Sequence, residues 1–243
     1  MATFFRSTAC FVSFAAFLFA GEVTTERIRK ADREPHNWLS YGRDYRSWRY
    51  SPLEEINREN VKKLVPVWAF ETGVDDGGLQ CTPLVVDGVM YITSSWNRVF
   101  ALDAATGEEI WHYYYQRATK FPGLFGGWNR GVAVGHGLVF MGTMDNHLVA
   151  LDAKTGREVW NVEIEDSKQC GCSTNGAPLV VKDKVIQGVT ASFVPKGGFV
   201  LASAPLDIRE GEDHRVLTGS IDNEIPKERI VDRPMFGCIA FFG

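Results

Sequence analysis

The chain lacks a basic run. Its 26 Lys and Arg are outnumbered by 30 Asp and Glu, its formal charge is −4, and nowhere do cations cluster as phosphate neutralisation demands. That pattern excludes a nucleic-acid partner. It also lacks an apolar stretch of the ~20 residues that a membrane span requires. The nearest approach is Ser7 to Ala20, an uncharged Phe- and Ala-rich run that follows Arg6 and precedes Gly21. A cation, a short apolar run and a small terminal residue read as a secretory signal. Residues 1–20 are therefore expected to be a signal peptide, the mature chain to start near Gly21 in the periplasm or outside the cell, and no span to remain after cleavage. Cysteine is scarce. Cys10 belongs to the signal, and Cys81, Cys170, Cys172 and Cys238 allow three pairings if all are oxidised. Cys170-Gly171-Cys172 has no second Cys or His pair at a spacing that would complete a four-ligand zinc site. Loop thiols or a structural disulfide are expected there instead. Tryptophan, finally, is absent after Trp160.

What is present is a repeat. ALDAATGEEIW at 101–111 returns as ALDAKTGREVW at 150–160, placing Asp103 and Asp152 49 residues apart. The segments LVVDGVMYI, VAVGHGLVFMGT and LVVKDKVIQG begin at Leu84, Val132 and Leu179, at spacings of 48 and 47 residues. A period of this size marks a solenoid or a propeller. Within one unit, Leu84 to Val86 and Val89 to Ile92 flank Asp87-Gly88, which predicts a hairpin. A third strand, Arg98 to Leu102, ends at Asp103, and Thr106-Gly107 turns the chain into a fourth strand carrying Ile110 and Trp111. Four strands per unit at this period are the blades of a β-propeller, with each Trp an apolar plug between neighbours. Trp68, in VWAFETG at 67–73, reads as the closing strand of an earlier, partial unit.

The segment WLSYGRDYRSWRYSPLEEINRENVKKL at 38–64, then VWAFETG, TPLVVDGVMYIT at 82–93, NRGVAV at 129–134 and the two ALDAxTGxxxW repeats resemble, in that order, the N-terminal part of the pyrroloquinoline quinone (PQQ)-dependent, or quinoprotein, alcohol dehydrogenases. The resemblance runs from about Asn37 to about Ala202. An outer-membrane assembly scaffold of the same propeller type would share the repeat but not the YGRDYxxxRYSPL entry.

The resemblance implies an all-β fold, about three four-stranded blades of an eight-bladed ring. It also implies PQQ on the axis, Ca²⁺ or a lanthanide polarising the quinone through hard oxygen ligands, and an Asp as base on the alcohol. Cofactor-binding roles fall on Arg130, whose guanidinium suits a carboxylate bidentately, and on Gln80, Asn175 and Thr190. Gln80 stands where many members have a Glu and brings no charge. Leu124-Phe125 stand where many members carry two adjacent cysteines, and Trp128 follows as loop packing. Phe193 falls at the place of a metal-binding Glu, so no metal ligand and no catalytic residue is assigned.

After Ala202 the resemblance ends and no third ALDAxTGxxxW follows, so the third unit is expected to lack its closing strand. Residues 204–243 hold 13 charged side chains without helical or strand periodicity and read as a divergent tail of frame-shifted or degraded character. The expected organisation is a signal at 1–20, a linker at 21–36, the partial propeller at 37–203 and the tail at 204–243. Eight units of roughly 45 residues need close to 400 residues. The function expected is that of an N-terminal fragment of a PQQ-dependent alcohol dehydrogenase-like oxidoreductase, inactive unless a second polypeptide completes the ring. The alternative is a non-catalytic binding or scaffold module.

Overall fold

The structure, a computed structural model, describes residues 22–73, 78–116, 127–190, 199–203 and 217–219. The signal-like segment 1–20, Leu124, Phe125, Phe193 and Cys238 lie outside these residues. Three four-stranded antiparallel sheets follow one another along the chain. The first blade comprises β1 (Leu84–Val86), β2 (Val89–Ser94), β3 (Arg98–Asp103) and β4 (Glu109–Tyr114). The second comprises β5 (Ala133–Gly135), β6 (Leu138–Gly142), β7 (His147–Asp152) and β8 (Glu158–Glu163). The third comprises β9 (Leu179–Val181), β10 (Lys184–Val189), β11 (Phe199–Ser203) and β12 (Leu217–Gly219). The expected closing-strand deficit of the third unit is thus corrected: Leu217–Gly219 pairs with β11 through Val200↔Gly219, Leu201↔Thr218 and Ala202↔Leu217. An edge strand presents a row of unpaired N–H and C=O groups, and a short extended segment satisfies them without any repeat motif.

Local chemistry sets the turns. Asp87 and Gly88 have φ of 50° and 86°, and His136 and Gly137 have 55° and 73°, the doubly left-handed geometry of tight hairpins whose twist matches the strands. Asp103 accepts the N–H of Ala105 and Thr106 at 2.8 and 2.9 Å, and Asp152 accepts those of Lys154 and Thr155 at 3.1 and 2.8 Å. The conserved geometry of the two turns follows from these carboxylate bonds. A bulge recurs as well, between Ala101 and Leu102 against β4 and between Ala150 and Leu151 against β8. The extra residue on the outer strand bends it just before the tryptophan.

Tryptophan joins the blades. The Trp111 indole N–H donates to Ala153 O at 3.1 Å, and the ring lies over Gly156, where a Cβ would come within 2.5 Å of it. Trp68 repeats the contact one blade earlier, donating to Ala104 O at 3.3 Å and covering Gly107. It docks as a closing strand would, yet residues 64–72 have no strand partner among the described residues. Between the first and second blades the core gathers Leu84, Tyr91, Val99, Trp111, Val134, Met141 and Leu151; between the second and third it gathers Phe140, Leu148, Trp160, Val180 and Val185. β6 is buried on both faces because its blade is sandwiched, whereas β2 alternates.

Residues 22–46 clasp the hairpin ends of these sheets. A short helix, α1 (Thr25–Arg29), is capped by the Thr24 hydroxyl, and Arg27 bridges Glu34 and Asp87 of the first hairpin turn. Trp38 bridges to Val85, and the Tyr45 hydroxyl donates to Val180 O at 2.7 Å in the third blade. Within residues 22–36, Val23 and Ile28 belong to the core.

Candidate functional site

The ends of the blades opposite the clasp are where the chain enters each first strand. Asn129 organises the second entry. Its amide donates to Gly142 O at 2.9 Å and Asn97 Oδ1 at 3.2 Å, and its carbonyl oxygen Oδ1 accepts the Gly131 N–H at 3.0 Å. Gly131 has φ of 126°, and a Cβ there would lie 3.4 Å from Thr82 O, so the entries of adjacent blades approach closely at this glycine.

Arg130 is held between the first and third entries. Its carbonyl accepts the Thr82 N–H at 3.3 Å, its own N–H donates to Asn175 O at 3.0 Å, and its Nη1 donates to Asn175 Oδ1 at 2.9 Å. Arg130 and Asn175, 45 residues apart in sequence, are thus brought into direct contact. Thr190 joins them through the backbone: it exchanges two bonds with Ser173, at 2.9 and 3.0 Å, two residues before Asn175. Its side chain is exposed. Gln80 is exposed too, and its side chain meets no partner among the described residues; it lies two positions before Thr82. Trp128 faces this segment, with its indole nitrogen 3.7 Å from where a Gly78 Cβ would stand.

The half-buried Arg130 carries the charge of the cluster. Among the described residues its side-chain partner is a neutral amide, and a guanidinium has five donors in all. Nearby, Tyr115 donates to Asp145 at 3.2 Å and the Thr143 hydroxyl donates to the same carboxylate at 2.6 Å. Burial, with the Asp145 charge second, pushes the Tyr115 phenol well above its ordinary range, so it remains a donor and does not exchange protons near neutrality. This pair fixes the turn between β6 and β7.

Sequence reasoning missed that turn and its counterpart between β2 and β3. Asn97 and Asn146 have φ of 57° and 69° and are buried, and each fastens the following blade's entry. Asn97 receives Asn129, while Asn146 donates to Glu165 O at 2.8 Å and to Cys172 Sγ at 3.2 Å. Their separation repeats the 49 residues of Asp103 and Asp152, a signal that finds them. Of the three cysteine pairings, Cys170–Cys172 forms and Cys81 is free.

Consecutive four-stranded antiparallel sheets, joined tryptophan to glycine, define part of a β-propeller. The family described as glucose/ethanol/alcohol dehydrogenase, β-propeller domain, of PQQ type matches residues 38–192, and the chain belongs to it. It is 43% identical over 190 residues to the dehydrogenase subunit of the quinone alcohol dehydrogenase of Komagataeibacter europaeus, covering 74% of this chain and 25% of that protein. It is 42% identical over 196 residues to quinoprotein alcohol dehydrogenase PedH of Pseudomonas putida, covering 79% and 33%. Among solved structures, quinohemoprotein alcohol dehydrogenase ADHIIG of Pseudomonas putida superposes with a TM-score of 0.70 at 39% identity, over 76% of this chain and 27% of that one. A europium-containing methanol dehydrogenase superposes at 0.66 and 35%, over 74% and 32%. The chain spans about a quarter to a third of the length of these relatives.

The residues present fit a polycarboxylate such as PQQ, because Arg130 offers open donors beside neutral hydrogen-bonding groups. No group of three or more His, Cys, Asp or Glu that could hold an ion occurs among the described residues.

Proposed function

We propose that this chain supplies the anion-binding wall of a PQQ site in an alcohol-oxidising quinoprotein. The observation that carries the reading is Arg130, locked by backbone bonds to two neighbouring blades and by Asn175 at 2.9 Å, with no further side-chain partner among the described residues. PQQ, when bound, supplies the two-electron oxidation of an alcohol to a carbonyl. Arg130 holds a cofactor carboxylate and Asn175 fixes the guanidinium plane. Thr190 and Gln80 add neutral hydrogen bonds at the rim.

Neither a base nor a metal ligand is assigned to this chain. Turnover on this reading requires the remaining blades of the propeller, with Ca²⁺ or a lanthanide held among them. A periplasmic setting agrees with the signal-like first twenty residues and with the Cys170–Cys172 disulfide, since such bonds persist in oxidising compartments.

The test is a PQQ titration of the purified chain followed by calorimetry. Wild type binds; Arg130→Leu binds at least about tenfold more weakly, as the loss of a charged hydrogen bond of roughly 1.5–3 kcal/mol requires. Thr190→Val changes affinity only about threefold, as expected for a neutral bond at the rim. Absence of binding by wild type, both alone and beside a polypeptide carrying the remaining blades, overturns the reading.

A further inference from the structure

The Cys170–Cys172 disulfide lies at the start of the segment that carries Asn175 to Arg130 and leads into β9. The last residue of a single-turn helix, α2 (Ser167–Cys170), is its first half-cystine, Gly171 follows in the left-handed region at φ 59°, and Cys172 is its second. Both sulfur-bearing residues are shut away, at 3% and 1% exposure, with Val189 and Ile164 packed around them. From Cys172 the chain is bonded at every residue up to the arginine. Ser173 pairs with Thr190, the Thr174 N–H and hydroxyl donate to Thr143 O at 3.1 and 2.7 Å, and Asn175 receives Arg130. Asn146 ties the disulfide to the neighbouring turn, donating to Cys172 Sγ at 3.2 Å while its own Oδ1 is buried with no hydrogen-bond partner among the described residues.

We propose that this disulfide is the positioning brace of Asn175 and Arg130, and that its reduction by a small dithiol loosens the cofactor end of the blades. The chemistry balances within one exchange. The dithiol delivers two electrons and two protons, the Sγ–Sγ bond breaks, Cys170 and Cys172 become thiols, and the reductant closes its own disulfide. Two separate thiols need more room than one disulfide, and the pocket around them is closed. Gly171, the residue with the greatest backbone freedom, is the only residue between them, so opening the link releases the segment leading into β9 at its hinge. The residues from Ser173 to Asn175 include no other cysteine, and the Asn146 amide loses its fixed acceptor.

The local effect does not depend on quinone binding; its consequence for the cofactor rests on the function proposed above, and the two are read separately. Amide hydrogen exchange is measured on the oxidised chain, on the same chain reduced with dithiothreitol to complete thiol labelling, and after re-oxidation. Exchange at Arg130, Thr174 and Thr190 is expected to accelerate at least about tenfold on reduction and to return on re-oxidation, while Val99 to Leu102 in the first blade stay unchanged. PQQ affinity is expected to weaken about fivefold to tenfold in step, with little change in the global unfolding midpoint. Cys170→Ala with Cys172→Ala reproduces the reduced state; should that variant not fold, reduction of the native chain still decides. Unchanged exchange at Arg130 and Thr174 after complete reduction overturns the proposal. If the oxidised chain binds no PQQ, the function reading fails while exchange continues to test the brace.

Discussion

Glycines 107 and 156 illustrate how much one hydrogen can decide. Each has a positive φ, 76° and 69°, and each lies beneath an indole so closely that a Cβ would come within 2.6 and 2.5 Å. Gly156→Ala is expected to destabilise the chain by about 2–3 kcal/mol, from overpacking added to left-handed strain. Gly137→Ala, at φ 73° but with nothing within 4 Å, should cost only about 1 kcal/mol. Urea midpoints of the two variants measure the difference, and equal shifts would refute the stacking account. The ATG turn and its tryptophan are legible in the sequence because both belong to one contiguous repeat. Asn97 and Asn146 are not read there as clasps, because their partners belong to the next blade's entry and their left-handed φ is a property of the fold. Gln80 shows the converse: its place follows from resemblance, while its exposure emerges only in three dimensions.

At the scale of elements, the clasp at 22–46 and the sheets answer to different forces. The sheets are held by apolar alternation, which is why their order and hairpins are readable from the sequence. The clasp adds to its buried Val23 and Ile28 a set of ion pairs, and these carry no periodicity. The Arg27 bond holds the Glu34 carboxyl below its ordinary range, and bonds from Arg43 and then Arg46 do the same for Asp32. A depressed carboxylate pKa contributes stability above the unfolded value near ~4, and that contribution disappears as pH falls through the folded value. Melting temperature is thus expected to fall as pH drops from about 5 to 3, and Arg27→Ala should flatten part of that dependence while lowering stability by about 1 kcal/mol at neutral pH. A parallel pH profile in the variant would show that Glu34 is not involved. β12 is the element least readable from sequence. Its three residues pair because the β11 edge needs partners, a demand set by the sheet and not by Leu217–Gly219.

For the molecule as a whole, the extended run beside the first blade matters most. Leu64, Val65 and Val67 are exposed at 58%, 75% and 85%, while Trp68 turns inward onto Gly107. One side of the run is docked and the other is bare, an arrangement that invites association. Val67→Lys is expected to raise the monomeric fraction of the isolated chain at least about twofold in light scattering at tens of micromolar, since an edge charge opposes strand pairing. An unchanged mass distribution would place the contact elsewhere. The indoles themselves have a use beyond packing. Trp68 and Trp111 sit at successive joints, each hydrogen-bonded to one carbonyl of the blade it meets. With the other indoles replaced by phenylalanine, the emission of each becomes an optical gauge of its own joint, so the order in which the blades part under denaturant can be watched joint by joint in the light the protein already emits.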